Sequence, residues 1–255
     1  MRLDLYLSDK DKDLSRTQAQ NLIKSGMVQL NISGQWQIIK QTSYEIDPNS
    51  SIEIKISEFD EHTYVSRAGL KLQNALQHTG LAPTGFKVLD IGQSTGGFSD
   101  CLLQKGAALI VGVEVGSQQL HPKIRNHAQV ICLEKINARD LFKNESFTET
   151  YGKGVFDLAV CDVSFISFTY MMDSISFFLK PNGQGLCLIK PQFEVGPENL
   201  TREGIVKDDG LYSKVKQKIE SELKLKNFDI LDYFTANPTG KDGNIEFFVH
   251  FRKVI

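Results

Sequence analysis

No two cysteines in this sequence stand close enough to suggest a metal site. Cys101, Cys132, Cys161 and Cys187 lie far apart and none forms a CxxC pair, so no zinc site is readable and no metal is expected. All four sit in apolar runs, where buried free thiols are expected. A reducing, cytoplasmic compartment suits them. The N-terminal stretch MRLDLYLSDKDKD lacks an apolar core of signal-peptide length. No apolar run is long enough to span a bilayer either. The most apolar helical candidate, Phe165 to Leu179, is short and interrupted by Asp173, so it is expected to be a buried helix, and no membrane partner is expected. Charge of one sign is also missing: the formal net charge is −2, and global charge does not suggest a nucleic-acid partner. What is present is ordinary for a soluble globular chain, with 255 residues, 41% hydrophobic and 24% charged. That length fits one large domain, or a small one joined to a medium one.

Two textures divide the chain. Residues 1–60 are locally patterned. Ser15 is a plausible N-cap for a helix through Ala19, Leu22 and Ile23, which Gly26 would end. MVQLNISGQ reads as a strand and turn, DPNSS as a turn, and IEIKI as an alternating strand. Residues 61–85 read as a linker and a pre-domain segment carrying Lys71. From residue 86 to 255, strands alternate with helices: FKVLDI, ALIVGVEV, QVICLE, VFDLAVCD, GLCLIK, FDILDYF and NIEFFVHF are the strand candidates. That alternation predicts an α/β fold with a doubly wound, mainly parallel sheet.

Such a sheet binds ligands at the carboxyl ends of its strands. The stretch LDIGQSTGGFSD follows the first of them, with glycines at Gly92, Gly96 and Gly97. A P-loop would place a lysine after its last glycine, where Phe98 stands, and the dinucleotide spacing G-x-G-x-x-G is absent. Pyrophosphate is therefore a poor candidate ligand. Asp90 beside the glycine turn suits an ammonium group, as in the amino-acid head of S-adenosylmethionine. Glu114, at the end of the next strand, suits ribose hydroxyls. Asn137 and Ala138, in the segment Asn137-Ala138-Arg139, would border an adenine. Asp162 ends the fourth strand and Lys190 the fifth, so both are expected at the same crevice. A lysine ending an apolar strand there needs a partner or solvent.

LDIGQSTGGFSDCLLQKGA, VCDVSFIS, LIKPQFEVG and GIVKDD, taken with the N-terminal pattern, resemble the TlyA family of ribosomal RNA 2′-O-methyltransferases, historically also labelled hemolysins. The resemblance runs over essentially the whole chain. It implies a Rossmann-like class I methyltransferase fold: a seven-stranded sheet with an antiparallel last strand, behind a small α+β RNA-binding domain. The catalytic region is similar to FtsJ-type methyltransferases, whose Lys-Asp-Lys-Glu tetrad maps onto Lys71, Asp162, Lys190 and Glu246. The cofactor motif maps onto Asp90, Gly92 and the run Ser94, Thr95, Gly96, Gly97 and Phe98, with Asp162 also near the cofactor. In that chemistry Lys190 takes the hydroxyl proton or stabilises the alkoxide, while Asp162 and Glu246 orient the lysines. Three positions depart from the family pattern: Gln93 stands where Ala is usual, Glu114 where Asp is, and Ala68 where Gly is. Gln93 would fill space that the methionine moiety needs.

MRLDLYL…SRTQAQNLIKSGMVQLN resembles the small RNA-binding module named after a ribosomal protein of the small subunit. Arg2, Arg16 and Lys24 are its candidates for phosphate contacts, with Arg67 beyond the linker. Residues 1–60 hold seven Lys/Arg against nine Asp/Glu, so binding requires the basic groups to gather on one face. The implied partners are ribosomal RNA or ribosomal subunits. The competing readings are an RNA-binding protein with an inactive methyltransferase fold, a small-molecule methyltransferase and a membrane-active hemolysin. The intact tetrad opposes the first. The N-terminal module and paired lysines oppose the second. The lack of a spanning segment opposes the third.

Overall fold

A computed structural model describes residues 1–10, 16, 19–20, 23, 28–32, 34–47, 52–56, 63–240 and 244–254. It divides into two compact units, Met1–Thr63 and Tyr64–Ile255.

In the first unit, helix α1 (Leu3–Lys10) is followed by strands β1 (Val28–Ile32), β2 (Gln35–Ile39) and β3 (Ile54–Ile56). The strands form an antiparallel sheet in the order β2-β1-β3. Leu3 and Leu7, one helical turn apart, are buried with Ala19, Ile23, Val28, Leu30 and Ile39. The carboxylate of Asp4 is buried beside them and is heavily hydrogen-bonded. It accepts from Arg2 Nε and Nη2 at 3.0 Å, Arg16 Nε at 3.3 Å and Gln20 Nε2 at 2.7 Å. A buried charge requires such partners. Most of the helix expected from Ser15 to Gly26, including Lys24, lies outside the described residues.

The second unit carries the α/β pattern. Its helices are α2 (Arg67–Thr79), α3 (Gly97–Gln104), α4 (Pro122–Arg125), α5 (Glu145–Tyr151), α6 (Met172–Phe178) and α7 (Gly210–Leu225). Its strands are β4 (Lys87–Ile91), β5 (Leu109–Glu114), β6 (Val130–Glu134), β7 (Phe156–Cys161), β8 (Leu179–Ile189), β9 (Phe228–Thr235) and β10 (Phe247–Lys253). They form one sheet ordered β6-β5-β4-β7-β8-β10-β9, in which β10 runs opposite to the other six strands. The seven-stranded sheet with an antiparallel last strand is therefore as expected. Successive residues of each inner strand face opposite cores. Leu89, Val111 and Ala159 pack toward the side of α5, α6 and α7, while Val88, Ile110 and Leu158 pack toward α2 and α3. Burial on both faces is why these strands read as unbroken apolar runs.

Within the segment 61–85, the second unit begins at Tyr64, and α2 is the part that carries Lys71. Helix α2 lies against α3 at paired glycines. A Cβ on Gly69 would fall 2.8 Å from the Gly97 carbonyl oxygen, and one on Gly97 would fall 2.1 Å from Ser66 Oγ. Asp100 of α3 also accepts the Val65 N–H at 2.8 Å, fastening the approach to α2. One expectation needs correction: Phe165 to Leu179 is not one buried helix. Phe165 is 90% exposed with a positive φ of 64°. Ser167 accepts the Thr169 N–H and caps a short turn, Phe168–Met171, and α6 starts only at Met172. The residues before Ser167 form the loop at the end of β7.

The α2–α3 contact should tolerate no added carbon. Gly69→Ala would press a methyl group into the Tyr64 ring at 2.5 Å as well as into Gly97. It is expected to destabilise the second unit by about 1–3 kcal/mol, read as a lowered urea midpoint with an unchanged slope.

Candidate active site

The order of connections reverses between β4 and β7, and a crevice opens at their carboxyl ends, as doubly wound sheets require. It is a pocket of about 550 Å³. Gly92 and Ser94 line it after β4, Glu114 and Val115 after β5, and Asn137 and Ala138 after β6. Asp162, Ser164 and Phe165 line it after β7, and Lys190 after β8. Each successive strand end thus contributes one wall.

The glycine loop is held from below. The Gly92 N–H donates to the Val113 carbonyl at 2.9 Å. A Cβ on Gly92 would lie 2.7 Å from the Asp162 carbonyl oxygen, so the loop crosses the end of β7 at close range. Glu114 fastens the other side, since one carboxylate oxygen accepts the Ser94 N–H at 2.9 Å and the other accepts the Gly116 N–H at 2.8 Å. Gln119, which sequence reasoning passed over, lines the pocket and accepts from Ser94 Oγ at 3.3 Å.

Several predicted cofactor residues serve the loop instead of lining the pocket. Asp90 is fully buried and faces α3, where its carboxylate accepts the Ser99 hydroxyl at 2.6 Å. Ser99 in turn accepts from Gln93 Nε2 at 2.8 Å. Gly96 is the left-handed N-cap of α3, and Gly97 makes the contact with α2. Phe98 is in the core, with its ring centroid 6.2 Å from that of Phe248. Thr95 is exposed and its carbonyl accepts the His121 N–H at 3.2 Å. Of the residues expected around the cofactor, Gly92, Ser94, Glu114, Asn137, Ala138 and Asp162 line the crevice, and these five stand behind or beside its wall. Gln93 stands with them. Its buried side chain points under the sheet, into the space that a Cβ on Gly112 would occupy at 2.0–2.2 Å. It does not line the pocket.

Burial pushes the Asp90 carboxyl up to about 7, partly opposed by the Ser99 hydrogen bond and reinforced by the carboxylates of Asp162 and Glu114. Among the described residues, its second oxygen and Gln93 Oε1 have no hydrogen-bond partner, a setting in which a neutral acid costs less than a charge.

The tetrad residues form two ion pairs. Lys71, on the buried face of α2, donates to Glu246, which is 4% exposed. Lys190 Nζ lies 2.6 Å from Asp162 Oδ1 and donates to Ser164 Oγ at 2.8 Å. Ile189 pairs with Phe247 across β8 and β10, so Lys190 and Glu246 stand one step further out at the same end of the sheet. Ser164 was not foreseen. Nor was Phe165, whose exposed ring lies 5.1 Å from that of Phe193, because an apolar run disguised a loop as a helix. Arg67 starts α2 and is half-buried.

The sheet and the crevice define a methyltransferase architecture, and the FtsJ-like methyltransferase family matches residues 64–253. The chain belongs to that family. It is 36% identical to Hemolysin A of Brachyspira hyodysenteriae, over 98% of this chain and 99% of that one. It is 33% identical to the 23S rRNA (cytidine-2′-O)-methyltransferase TlyA of Campylobacter jejuni, over 99% of this chain and 100% of that one. A solved structure from Streptococcus thermophilus, described as a hemolysin candidate, superposes with a TM-score of 0.71 at 32% identity, covering 100% of this chain and 88% of that one. The likeness to the TlyA family is borne out by these relatives. Among the described residues, no helix is long and apolar enough to cross a membrane.

Two predictions follow the loop's chemistry. Gly112→Ala should expel the Gln93 amide and weaken ligand binding in the crevice, and adding Gln93→Ala should restore part of the loss. Additive losses in a double-mutant cycle would show that the two positions are independent. Asp90 has a folded pKa of about 7 against an ordinary 3.8, so the native state keeps a proton that the unfolded chain releases. Its contribution to stability is full below the unfolded value and is lost as pH rises through about 7. Asp90→Asn should therefore flatten the fall in urea midpoint between about pH 4 and about pH 7. An unchanged slope would exclude a protonated Asp90.

Proposed function

We propose that this chain transfers a methyl group from S-adenosylmethionine to a ribose 2′-hydroxyl of ribosomal RNA. One observation carries the reading. The Lys190–Asp162 pair forms part of the wall of a pocket whose other walls suit the cofactor, and the Lys71–Glu246 pair stands at the neighbouring strand end. The donor set fits that cofactor. Glu114 suits ribose hydroxyls, Asn137 and Ala138 suit the adenine edge, and the side-chain-free Gly92 admits a close ligand.

When bound, the cofactor supplies a methyl group activated by a sulfonium. The chain supplies position and proton handling. A ribose hydroxyl is a poor nucleophile until its proton is drawn away. Lys190 at the pocket wall serves this as an ammonium that stabilises the oxyanion, or as the neutral amine that takes the proton after releasing its own to solvent. Asp162 holds the Lys190 ammonium on one side and Ser164 accepts from it on the other, so its Nζ has a fixed place. Glu246 does the same for Lys71. Fixing both cations before substrate arrives lowers the reorganisation needed at the reacting oxygen.

RNA capture falls to the first unit in this reading. Arg2 and Arg16 share the Asp4 carboxylate, which gathers two guanidinium groups at one point while each stays at least 41% exposed. Their remaining N–H groups would meet phosphates, together with Lys24 and with Arg67 of the second unit. The name of the Campylobacter relative makes a cytidine the first target to examine.

Mapping 2′-O-methyl groups on ribosomal RNA with and without the protein tests this function. Lys190→Ala is expected to bind cofactor and RNA but to lower turnover by roughly 10²–10⁴-fold. Replacing the target ribose by its 2′-deoxy form should abolish transfer. Unchanged methyl maps for every ribosomal RNA tested would defeat the proposal.

A further inference from the structure

Asp162 and Lys190 project from the ends of adjacent parallel strands, and each is followed by a loop. The first loop runs from Asp162 to Ser167 and the second begins with the short turn Pro191–Phe193. Neither loop is held by strand pairing, yet the two must keep Lys190 Nζ within ion-pair distance of Asp162. At its start, the first loop is anchored by the Asp162 N–H donating to the Ile91 carbonyl at 3.0 Å. At its far end, the anchor is Glu194.

The Glu194 side chain is 1% exposed, a costly place for a carboxylate unless its oxygens are satisfied. One oxygen accepts the Phe168 N–H at 2.8 Å. The other accepts the Ser167 hydroxyl at 2.6 Å and the Lys218 ammonium at 2.7 Å. Ser167 and Phe168 close the loop that begins at Asp162. Glu194 itself lies four residues beyond Lys190, and Lys218 belongs to α7. One buried carboxylate therefore joins both catalytic loops to a long helix. The Phe165–Phe193 ring contact is a second, apolar tie between the same loops. This network lies outside the crevice, so Glu194 does not line the pocket.

We infer that Glu194 is a positioning residue for methyl transfer, setting the Asp162–Lys190 geometry through Ser167 and Phe168. The inference rests on the proposed methyl-transfer reaction. Its consequence is selective. Losing the carboxylate lets the two loops separate, which costs turnover steeply because sub-ångström alignment of the proton-handling group is what the chain supplies. The walls at Glu114 and Asn137 belong to other strand ends, so cofactor affinity is left largely intact.

The test uses the full chain, with wild type, Glu194→Ala, Glu194→Gln and Ser167→Ala assayed for turnover on ribosomal RNA and for cofactor affinity by calorimetry. Glu194→Ala is expected to lower kcat by roughly 10–100-fold, with the cofactor dissociation constant changed less than about threefold. Ser167→Ala, which removes one of the three bonds, should fall between it and wild type. Glu194→Gln keeps an acceptor for the Phe168 N–H and serves as the variant that folds if the alanine form does not; it too should lose turnover without losing cofactor affinity. Combining Glu194→Ala with Lys190→Ala distinguishes positioning from plain destabilisation. If Glu194 acts through Lys190, the double variant is no slower than Lys190→Ala alone. Wild-type kcat in Glu194→Ala, equal losses of turnover and cofactor affinity, or a full additional loss in the double variant would each overturn the role while leaving the enzyme reading intact. Absence of transfer by the wild-type chain would instead remove the reaction on which the role depends.

Discussion

The Lys71–Glu246 ion pair is the constraint around which the second unit is arranged. It joins the helix that precedes the first strand of the sheet to the strand that completes it, residues 175 positions apart. Both side chains are nearly out of water, and a buried pair of this kind gains little net stability while the loss of one partner leaves an uncompensated charge. That cost is accepted at the end of the sheet where the crevice lies. Everything that brings α2 to this place, from the Gly69–Gly97 contact to the Asp100 hold on Val65, serves to put one ammonium group beside the last strand.

The glycine loop obeys a second buried constraint that is independent of the first. Asp90, Ser99 and Gln93 form a chain of hydrogen bonds beneath the loop, and Gly112 leaves room for the Gln93 amide. A larger residue at 93 is thus accommodated off the crevice wall, where a missing side chain on β5 makes the space. The crevice side of the loop is formed by Gly92 and Ser94. Departure from the family pattern at one position is absorbed at another that is distant in sequence and adjacent in space.

The mainly parallel sheet and the strand-end places of Asp162 and Lys190 were legible in the local pattern, whereas Lys71 and Glu246 were reached only through the likeness to FtsJ-type methyltransferases. Apolar runs ending in Asp162 and Lys190, each followed by loop-forming residues, fix which side chains reach the carboxyl end of a parallel sheet. The sides on which Asp90 and Phe98 point were not legible. Asp90 shares a face with Val88 and so meets α3, but from the sequence alone either face of a strand buried on both sides was open to it. Phe165 misled for a related reason. Hydrophobicity in a loop that stays exposed is indistinguishable, in composition, from the start of a buried helix. Glu194 left no signal at all, because its partners Ser167, Phe168 and Lys218 lie 24–27 residues away on either side and only packing brings them together.

The two units solve the same electrostatic problem in opposite ways. In the first, a buried carboxylate, Asp4, holds two arginines whose other edges stay in water, so cationic surface is concentrated in a segment with more acids than bases. In the second, two lysines are drawn inward by carboxylates and largely removed from water. An exposed guanidinium attracts a polyanion at long range, with strong dependence on salt, whereas a shielded ammonium acts only on what enters its pocket. A net charge of −2 therefore says little about whether RNA binds. What matters is that the exposed cations are gathered by a buried anion, and that the inward-drawn ones stand at the strand ends where a single nucleotide could be received.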